Sequence, residues 1–309
     1  GGKGTTAKLK IVFQAPKIIT IVNDTLKYVD CFQLRTPTGI GVFLIPYLII
    51  FVKKPGWFKY AGNWNQKLPP LGYRLQRRML KKQNRKVTIN GKWPYQPVHH
   101  LSFENPCLTD MDIIEGKRIR VKRELPHKWT FCFVGRLEIE KGVERIIKAF
   151  NSLEDTSHIG VIHLAGEGLE AGYFNRLANQ GSLKFVFHGA LTRDKVFDIY
   201  RKSDVFLLPT TASEGFPKVI AEAMNFGCIP IVSNISAIGH YIQNNKNGIL
   251  LEKVNIADLK SAIVKLLNFD ANNYFELLKD LDNVVNKFTY SHYNKRIMLH
   301  IINKFGASE

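Results

Sequence analysis

Short apolar segments alternate with stretches of helical periodicity over the second half of the chain. Val143, Ile146, Ile147 and Phe150, for example, follow the i, i+3, i+4, i+7 spacing of an amphipathic helix. The alternation predicts βαβ units whose parallel sheet is covered by helices on both faces. The six predicted strands are residues 131–134, 160–164, 184–187, 204–208, 229–232 and 249–251.

The first half has a similar pattern with fewer strands. Extended segments are predicted at residues 31–34, 57–60 and 86–89, with a buried helix over residues 38–52. A second helix, over residues 71–86, has apolar positions on one side and cations on the rest. These elements predict a second α/β domain whose sheet is incomplete.

Charge distinguishes the two halves. The chain has 44 Lys and Arg against 26 Asp and Glu, a net charge of +18. Residues 1–128 contain 24 cations and 7 acids, whereas residues 129–309 contain 20 cations and 19 acids. This asymmetry predicts two domains with different partners. Residues 117–128, which include Pro126, are interpreted as a linker, and a last helix is predicted over residues 291–305.

Composition excludes several classes of protein. An apolar content of 45% and a charged content of 23% are typical of globular domains rather than disordered chains. The four cysteines have no CxxC spacing, which argues against a disulfide scaffold and a thiolate zinc site. The longest uncharged apolar run, residues 40–52, is shorter than the roughly 20 residues that a membrane-spanning helix needs.

A candidate anion site follows the first strand of the second half. The string Gly135-Arg136-Leu137 comes directly after that strand, and Lys141 precedes the next helix. A helix N-terminus at the carboxyl end of a parallel strand presents unpaired N–H groups to an anion. Arg136 and Lys141 would add a bidentate fork and a point charge suited to a diphosphate. The alternative is that both are ordinary surface cations of a loop.

A second candidate string spans residues 214–222 and reads Glu-Gly-Phe-Pro-Lys-Val-Ile-Ala-Glu. It follows the strand that ends at residue 208 and precedes a helix. Pro217 suits the first helical position, which would place Phe216 at the N-cap. Gly215 permits close approach of the backbone, and the N–H groups around Lys218 would be available to a phosphate. The alternative for Glu214 is a loop acid, and for Glu222 a solvated helix face.

Four strings occur together in an order that is typical of one enzyme family: F-V-G-R-L-x-x-x-K-G, H-L-A-G-E-G, F-H-G and E-G-F-P-K-V-I-A-E-A-M. The chain thereby resembles the family 4 retaining glycosyltransferases, also called glycosyl transferases group 1. The resemblance implies the GT-B fold, an α/β architecture of two Rossmann-like domains with parallel sheets flanked by helices. It also implies an acceptor-binding domain with linker over residues 1–128, a donor-binding domain over residues 129–288, and a C-terminal helix over residues 289–309 that packs back toward the first domain.

The resemblance implies roles for individual residues. Arg136 and Lys141 would hold the donor diphosphate, and with Glu214 at the donor sugar they form the expected catalytic set. Glu222 would accept hydrogen bonds from the ribose, and the loops at Gly166 and Gly189 would contact the base. The full expected donor site is Arg136, Lys141, Gly166, Gly189, Glu214, Gly215, Phe216, Pro217, Lys218 and Glu222.

The acceptor side is less defined. Gly62 and Asn63 follow a predicted strand and would face the cleft, and His99 and His100 are candidates by residue type alone. The family's first β-α-β portion is not recognisable, and the chain begins with Gly1 rather than Met. We therefore expect a truncated acceptor domain and low activity of the isolated chain.

Asp110-Met111-Asp112 matches the D-x-D pattern by which another glycosyltransferase fold binds a metal ion. No nucleotide-binding strand precedes it here. We expect no metal site and no cofactor, the nucleoside diphosphate sugar being the substrate.

The expected activity is that of a retaining hexosyltransferase of polysaccharide biosynthesis, which moves a sugar from a nucleoside diphosphate sugar to a hydroxyl of a glycan or lipid-linked acceptor. One alternative is a GT-B sugar-nucleotide epimerase. Another is a basic protein that binds nucleic acid or an anionic surface, although the chain has no nucleic-acid-binding motif.

The expected location is cytoplasmic, with peripheral contact to the inner face of an anionic membrane and no nucleic-acid partner. The contact would be the basic helix over residues 71–86. In the alternative interpretation, Leu71, Leu75 and Met79 face the core of their own domain.

Overall fold

A parallel β-sheet forms the centre of each of the two units into which the residue contacts divide the chain. The computed structural model describes Ile11 and residues 13–305. The first unit contains the described residues up to Asn105, the segment Glu214–Phe216 and the residues from Asn294 onward. The second unit contains Pro106–Ser213 and Pro217–Tyr293. Residues 106–128 thus belong to the second unit, whereas the sequence analysis assigned them to the first half.

The sheet of the first unit has four strands in the order β1-β2-β3-β4, and each neighbouring pair is parallel. Helices and strands pack around Phe58 and Leu80, which are fully buried. The elements are α1 (Ala15–Lys27), β1 (Phe32–Thr36), α2 (Gly41–Ile50), β2 (Gly56–Tyr60), α3 (Leu71–Lys81), β3 (Val87–Ile89) and β4 (His100–Ser102).

The first unit differs from its prediction at one strand, one helix end and helix α1, which was not predicted. Strand β4 was missed because its three residues include no apolar run. Helix α3 ends at Lys81, five residues before the predicted end. The carbonyl oxygen of Leu80 accepts a hydrogen bond from Gln83 Nε2 at 3.1 Å, and the Nε2 atoms of His99 and His100 lie 3.0 and 3.2 Å from it. Side chains therefore take the place of the backbone N–H groups that another helical turn would supply.

The sheet of the second unit has six parallel strands in the order β10-β9-β8-β5-β6-β7. All six predicted strands are confirmed, because strands buried on both faces have continuous apolar sequences. The elements are α4 (Asp110–Val121), β5 (Trp129–Val134), α5 (Val143–Asn151), β6 (Ile159–Ala165), α6 (Ala171–Ala178), β7 (Lys184–Phe187), α7 (Arg193–Lys202), β8 (Val205–Leu208), α8 (Lys218–Asn225), β9 (Ile229–Ser233), β10 (Ile249–Leu251), α9 (Ile256–Leu267), α10 (Ala271–Lys279), α11 (Leu281–Val285) and α12 (Tyr290–His300), whose residues from Asn294 onward belong to the first unit.

The first residues of the predicted linker are helical. Residues 117–121 are the last part of α4, which packs so closely on α8 that a Cβ on Gly116 would lie 2.3 Å from the Asn225 carbonyl oxygen. Arg120 is buried, donates to Asn225 and forms an ion pair with Asp282. The predicted linker thus includes a buried arginine with polar partners.

The predicted last helix is observed as α12 followed by a 3₁₀ turn at Ile302–Lys304. Its Arg296 donates to Glu104 at 2.5 Å and to the Ser102 carbonyl oxygen at 2.6 Å, and it stacks on the Phe103 ring. None of the described helices is both long and apolar enough to cross a membrane.

Candidate active site

The loops after β5, β6 and β7 surround a cavity of about 820 Å³ at the carboxyl edge of the second unit's sheet. We call it the donor cavity. It is lined by Arg136, Leu137, Glu138, Gly166, Glu167, Gly168, Leu169, Ala171, Gly172, Asn175, Phe187 and Gly189. Open parallel sheets bind ligands at this edge, where the strand order reverses. Here the order reverses between β5 and β8, which are neighbours in the sheet although two other strands separate them in sequence.

Glycines allow the loops of the donor cavity to touch backbone to backbone. A Cβ on Gly166, whose φ is +139°, would lie 1.8 Å from the Gly135 carbonyl oxygen. A Cβ on Gly168 would lie 1.9 Å from the carbonyl oxygen of Leu137. The Gly166 N–H donates to the Gly189 carbonyl oxygen at 2.8 Å, which extends the sheet's hydrogen bonding into the loops. The cavity wall near these residues is therefore peptide backbone, open to a flat ligand.

The loops after β5 and β8 also pack against each other. Gly142 has a φ of +93°, and a Cβ there would lie 2.3 Å from the Pro209 carbonyl oxygen. The same oxygen accepts a hydrogen bond from Arg145 Nε at 3.0 Å, and the Thr211 N–H donates to the Glu140 carbonyl oxygen at 2.8 Å. These contacts fix the helix start after β5 at the point where the strand order reverses.

The two expected diphosphate cations lie in different surroundings. The Arg136 side chain is 67% exposed, lines the donor cavity and pairs with Glu138 at 2.5 Å. Lys141 is buried in the 3₁₀ turn Ile139–Lys141 and is not a lining residue of the cavity. The structure thus brings Arg136, Gly166 and Gly189 together in one cavity, as expected, with Lys141 outside its lining.

The 214–222 string is divided between the two units. Glu214–Phe216 belong to the first unit, in which a Cβ on Gly215 would lie 2.2 Å from Asn90 Nδ2. Helix α8 begins at Lys218 with Pro217 as its N-cap, one residue later than predicted. The reason is that Pro217 is extended, with a ψ of 116°, while its carbonyl oxygen already accepts the first helical hydrogen bond from Ile220.

Glu222 is half-buried on α8 beside a cation that the sequence analysis missed. Burial raises the pKa of Glu222, and the charges of Arg193 and Lys218 oppose the increase. Arg193, at the start of α7, is held by Asp112 at 2.7 Å and by the Cys107 carbonyl oxygen at 2.9 Å. Its position in the first helical turn after the F-H-G string is the sequence signal that could have identified it.

The D-x-D string serves a helix start. Thr109 and Asp112 form a reciprocal capping box at the start of α4, with the Thr109 N–H donating to Asp112 at 2.7 Å. Burial would raise the pKa of Asp112, but hydrogen bonds from Arg193 and Thr109 hold it below its usual value. Among the described residues, no group of three His, Cys, Asp or Glu side chains is placed to hold a metal ion.

The acceptor-side candidates lie in the first unit. Gly62 and Asn63 follow β2, and the Asn63 side chain accepts a hydrogen bond from the Asn65 N–H at 3.0 Å, which shapes the loop. His100 is buried against Trp64, and its pKa is lowered to about 4, chiefly by burial. With their Nε2 atoms on the Leu80 carbonyl, His99 and His100 stabilise the end of α3.

A pair of histidines adjoins the donor cavity. His163 Nδ1 lies 3.0 Å from His188 Nε2. In the sequence, His188 stands between Phe187 and Gly189, which both line the cavity. Burial lowers the pKa of both imidazoles, so both are neutral near pH 7 and share one hydrogen bond. The pair connects β6 to the loop after β7.

Comparison with known proteins connects this arrangement to one family. The family model of glycosyl transferases group 1 matches residues 116–283. An uncharacterised glycosyltransferase of Methanocaldococcus jannaschii is 29% identical over 154 residues, which are 49% of this chain and 39% of the relative. A glycogen synthase of Mycobacterium tuberculosis is 29% identical over 140 residues, 44% of this chain and 33% of the relative. The matched region thus spans only about two fifths or less of these relatives.

Solved structures resemble the chain over most of its length. Anabaena HepE in complex with UDP has a TM-score of 0.68 at 16% identity, covering 92% of this chain and 81% of that one. Sucrose-phosphate synthase of Thermosynechococcus elongatus has a TM-score of 0.73 at 16% identity, covering 97% and 80%. These similarities confirm the expected fold, GT-B with parallel sheets flanked by helices. Because the family model covers more than half of the chain, the chain belongs to the glycosyl transferases group 1 family.

Proposed function

We propose that the chain transfers a sugar from a nucleoside diphosphate sugar to a hydroxyl of a glycan or lipid-linked acceptor, with retention at the anomeric carbon. The observation that carries the proposal is the donor cavity, which combines backbone walls at Gly166 and Gly189 with the exposed guanidinium of Arg136. Anabaena HepE, which shares the fold, has been solved with UDP and with UDP-glucose. A donor of this class fits a cavity of about 820 Å³.

In the proposed donor complex, the base lies against the loops at Gly166 and Gly189, and the Glu222 carboxylate accepts hydrogen bonds from the ribose. Arg136 contacts the diphosphate. Lys141 and the backbone N–H groups at Lys218 add positive potential at the two helix starts.

Charge development on the leaving group determines the chemistry. The diphosphate gains negative charge as the glycosidic bond breaks, and cations that are already in place stabilise that charge without reorganising. We assign departure and attack to the same face of the sugar, with the diphosphate helping to deprotonate the acceptor hydroxyl, and no protein nucleophile. Glu214 keeps its expected role at the donor sugar. No metal ion or cofactor enters the proposal.

We also propose peripheral contact with an anionic bilayer through α3. Leu71 is 78% exposed and Leu75 is 44% exposed, whereas Met79 packs against the core. The interpretation in which all three face the core therefore holds for Met79 alone. Exposed leucines beside cations are typical of a helix that lies in a membrane interface. Vesicle co-sedimentation tests this: Leu71→Gln with Leu75→Gln should weaken binding to phosphatidylserine vesicles, and equal sedimentation with the wild type would remove α3 as the contact.

A thermal-shift panel of nucleoside diphosphates and their sugars tests the proposed activity. A ligand present at 100 times its Kd stabilises the folded state by about 2.7 kcal/mol, which is readily measured. We expect a shift with one nucleoside diphosphate and its sugar conjugates, and a smaller shift in Arg136→Ala. Product analysis then separates transfer, which releases the free nucleoside diphosphate, from epimerisation, which yields an altered sugar nucleotide. No shift with any member of the panel would contradict the proposal.

A further inference from the structure

The sheet region of the first unit has a large positive charge with no acidic residue to balance it. Residues 31–103 contain 13 Lys and Arg and no Asp or Glu. Cations in a folded protein are usually interspersed with carboxylates, because like charges repel one another and destabilise the compact state. A region of this length without a single carboxylate is therefore a surface suited to an anionic ligand.

Six of these cations converge on a cavity of about 640 Å³ next to α3, which we call the basic cleft. Arg74, Arg77, Arg78 and Lys81 come from the helix, Lys82 follows it, and Lys67 comes from the loop after β2. Within the part of the chain that the structure describes, the lining of the cleft includes no carboxylate. The cleft lies entirely within the first unit and shares no lining residue with the donor cavity.

The walls of the basic cleft are held in place by the protein itself. Arg77 donates to the carbonyl oxygens of Trp64 and Gln66 at 2.5 and 3.0 Å, which fixes the loop after β2. The Lys81 ammonium lies 5.8 Å from the centre of the Trp64 ring. Trp93 Nε1 donates to the Asn90 carbonyl oxygen at 2.8 Å, which fixes the opposite wall. A cleft with fixed walls loses little conformational freedom when a ligand binds.

Three cations of the cleft remain available to a ligand. Arg74, Arg78 and Lys82 are exposed and form no ion pair with any other described residue. Two arginines and a lysine supply guanidinium forks and an ammonium, the donors that match phosphate oxygens. Half-buried Trp93 and fully exposed Tyr95 also line the cleft and provide flat apolar faces for a sugar or a hydrocarbon.

Tyr95 has an unusual backbone. It is fully exposed, and its φ is +58°, in the left-handed region that bulky residues rarely adopt. Such conformations are energetically unfavourable and are concentrated at functional sites. The strained residue here presents its ring at the rim of the cleft rather than to the core.

We propose that the basic cleft is a second ligand site, which binds an organic phosphate: a phosphate or diphosphate group on Arg74, Arg78 and Lys82, with its sugar or hydrocarbon part against Trp93 and Tyr95. This site goes beyond the proposed donor site and does not depend on it.

Calorimetric titration with inorganic pyrophosphate tests the phosphate half of the proposal. The cleft variant carries Arg74→Gln, Arg78→Gln and Lys82→Gln. A charge-matched control in the same unit carries Lys17→Gln, Lys53→Gln and Lys304→Gln, which are exposed and lie outside the cleft. We expect the cleft variant to lose at least about tenfold in affinity for one pyrophosphate, with the control within about twofold of the wild type. Equal affinities of the cleft variant and the control would overturn the proposal.

The donor-site variant Arg136→Ala separates the two sites. If pyrophosphate also enters the donor cavity, Arg136→Ala weakens one binding event and the cleft variant weakens the other. Failure of the proposed sugar transfer would leave the cleft event unchanged. If Arg136→Ala alone lost all pyrophosphate binding, the binding would be assigned to the donor cavity and the proposal of a cleft site would be overturned.

Two further arms test the organic part and the source of the phosphate. Tyr95→Ala should weaken binding of glucose 1-phosphate several-fold and leave pyrophosphate binding unchanged, and equal effects on both would overturn the role of the ring.

Phosphatidylcholine vesicles with and without phosphatidic acid distinguish a lipid phosphate from a soluble one, and either source supports the site. The proposal would be overturned in favour of a nucleic-acid groove if a single-stranded oligouridylate bound more tightly than pyrophosphate and the cleft variant lost that binding.

Discussion

In the second unit, carboxylates pair with Arg120, Arg123 and Arg193, whereas in the first unit backbone carbonyls hold Arg77 and Arg85 beside the sheet. Arg123 pairs with Asp204 at 2.8 Å, and Arg193 pairs with Asp112 at 2.7 Å. In the first unit, Arg77 donates to carbonyl oxygens of the loop after β2, and Arg85 donates to those of Val52 and Lys54. Carbonyls satisfy the hydrogen bonds of a guanidinium but leave its charge uncompensated.

The difference explains how each unit is suited to an anion. In the second unit, charge is balanced internally, and the donor cavity depends on backbone geometry with one exposed guanidinium at its edge. In the first unit, net positive charge remains over a whole surface, and the basic cleft concentrates it. The proposed donor site thus depends mainly on shape and the proposed cleft site mainly on electrostatic potential, and the following changes separate the two.

The largest effect is expected from removing the cation of a buried carboxylate. Arg123→Gln leaves Asp204 without its charge partner, and losing one member of a buried pair costs roughly 3–5 kcal/mol. Burial already raises the pKa of Asp204, and Arg123 opposes the increase. In the variant the folded-state pKa rises further, so the loss in the free energy of unfolding should be largest near pH 7 and shrink as the pH falls and Asp204 is protonated.

Arg85→Gln in the first unit is the matched control. It removes hydrogen bonds to carbonyls and leaves no buried charge, so we expect a loss of about 1.5–3 kcal/mol that does not change with pH. Urea denaturation at several pH values measures both variants. Trp129 reports on the second unit, and the three other tryptophans of the chain, Trp57, Trp64 and Trp93, report on the first. Equal, pH-independent losses would contradict the distinction between carboxylate and carbonyl partners.

A smaller effect is expected from a glycine of the donor cavity. Gly166→Ala combines an unfavourable φ, which costs about 1–2 kcal/mol, with a Cβ placed against a carbonyl oxygen, which costs about 1–3 kcal/mol more. Gly189→Ala is the control, because its φ is +66° but its Cβ meets nothing within 4 Å. We expect Gly166→Ala to lower the melting temperature more than Gly189→Ala. If the two variants were equally stable, loop contact would not shape the cavity.

The smallest effect concerns pH and the proposed ribose contact. Ionised Glu222 accepts charge-assisted hydrogen bonds that are stronger than those of the protonated carboxyl, so UDP affinity should fall about tenfold as the pH drops through the raised pKa of Glu222. Arg193→Gln removes a charge that opposes the increase in the pKa of Glu222. In this variant the loss of UDP affinity should therefore begin at a higher pH than in the wild type. Glu222→Gln should abolish this pH dependence. A wild-type pH profile in Glu222→Gln, measured by calorimetry, would remove the role.

The second sheet could be predicted from sequence because each strand is a continuous apolar run with helical periodicity between runs. Strand β4 could not be predicted, since His100–Ser102 pairs with β3 by backbone hydrogen bonds and its side chains show no apolar pattern. The start of α4 was missed, although Thr109 three residues before Asp112 is a capping-box signal.

The candidate site was predictable where it depends on glycines and strand ends, and less so where it depends on packing. Arg136, Gly166 and Gly189 could be expected at one edge because each follows a strand of a parallel sheet, and they line one cavity, while their roles toward a donor stay predictions. The burial of Lys141 and the contact of Gly215 with Asn90 depend on how separate loops pack, which no local pattern encodes. Five of the six cations of the basic cleft lie within the predicted basic helix, whereas the contribution of Lys67 depends on how the loop after β2 packs.

Calorimetric titration of UDP into the wild type and Arg136→Ala tests the central claim most directly, namely that a nucleoside diphosphate binds in the donor cavity. Arg118→Ala is the control, because Arg118 is an exposed arginine on α4 of the same unit and lies outside the cavity. A charged hydrogen bond contributes about 1.5–3 kcal/mol, so Arg136→Ala should weaken UDP binding about ten- to hundredfold, with Arg118→Ala unchanged. Equal UDP affinity in all three proteins would contradict the assignment.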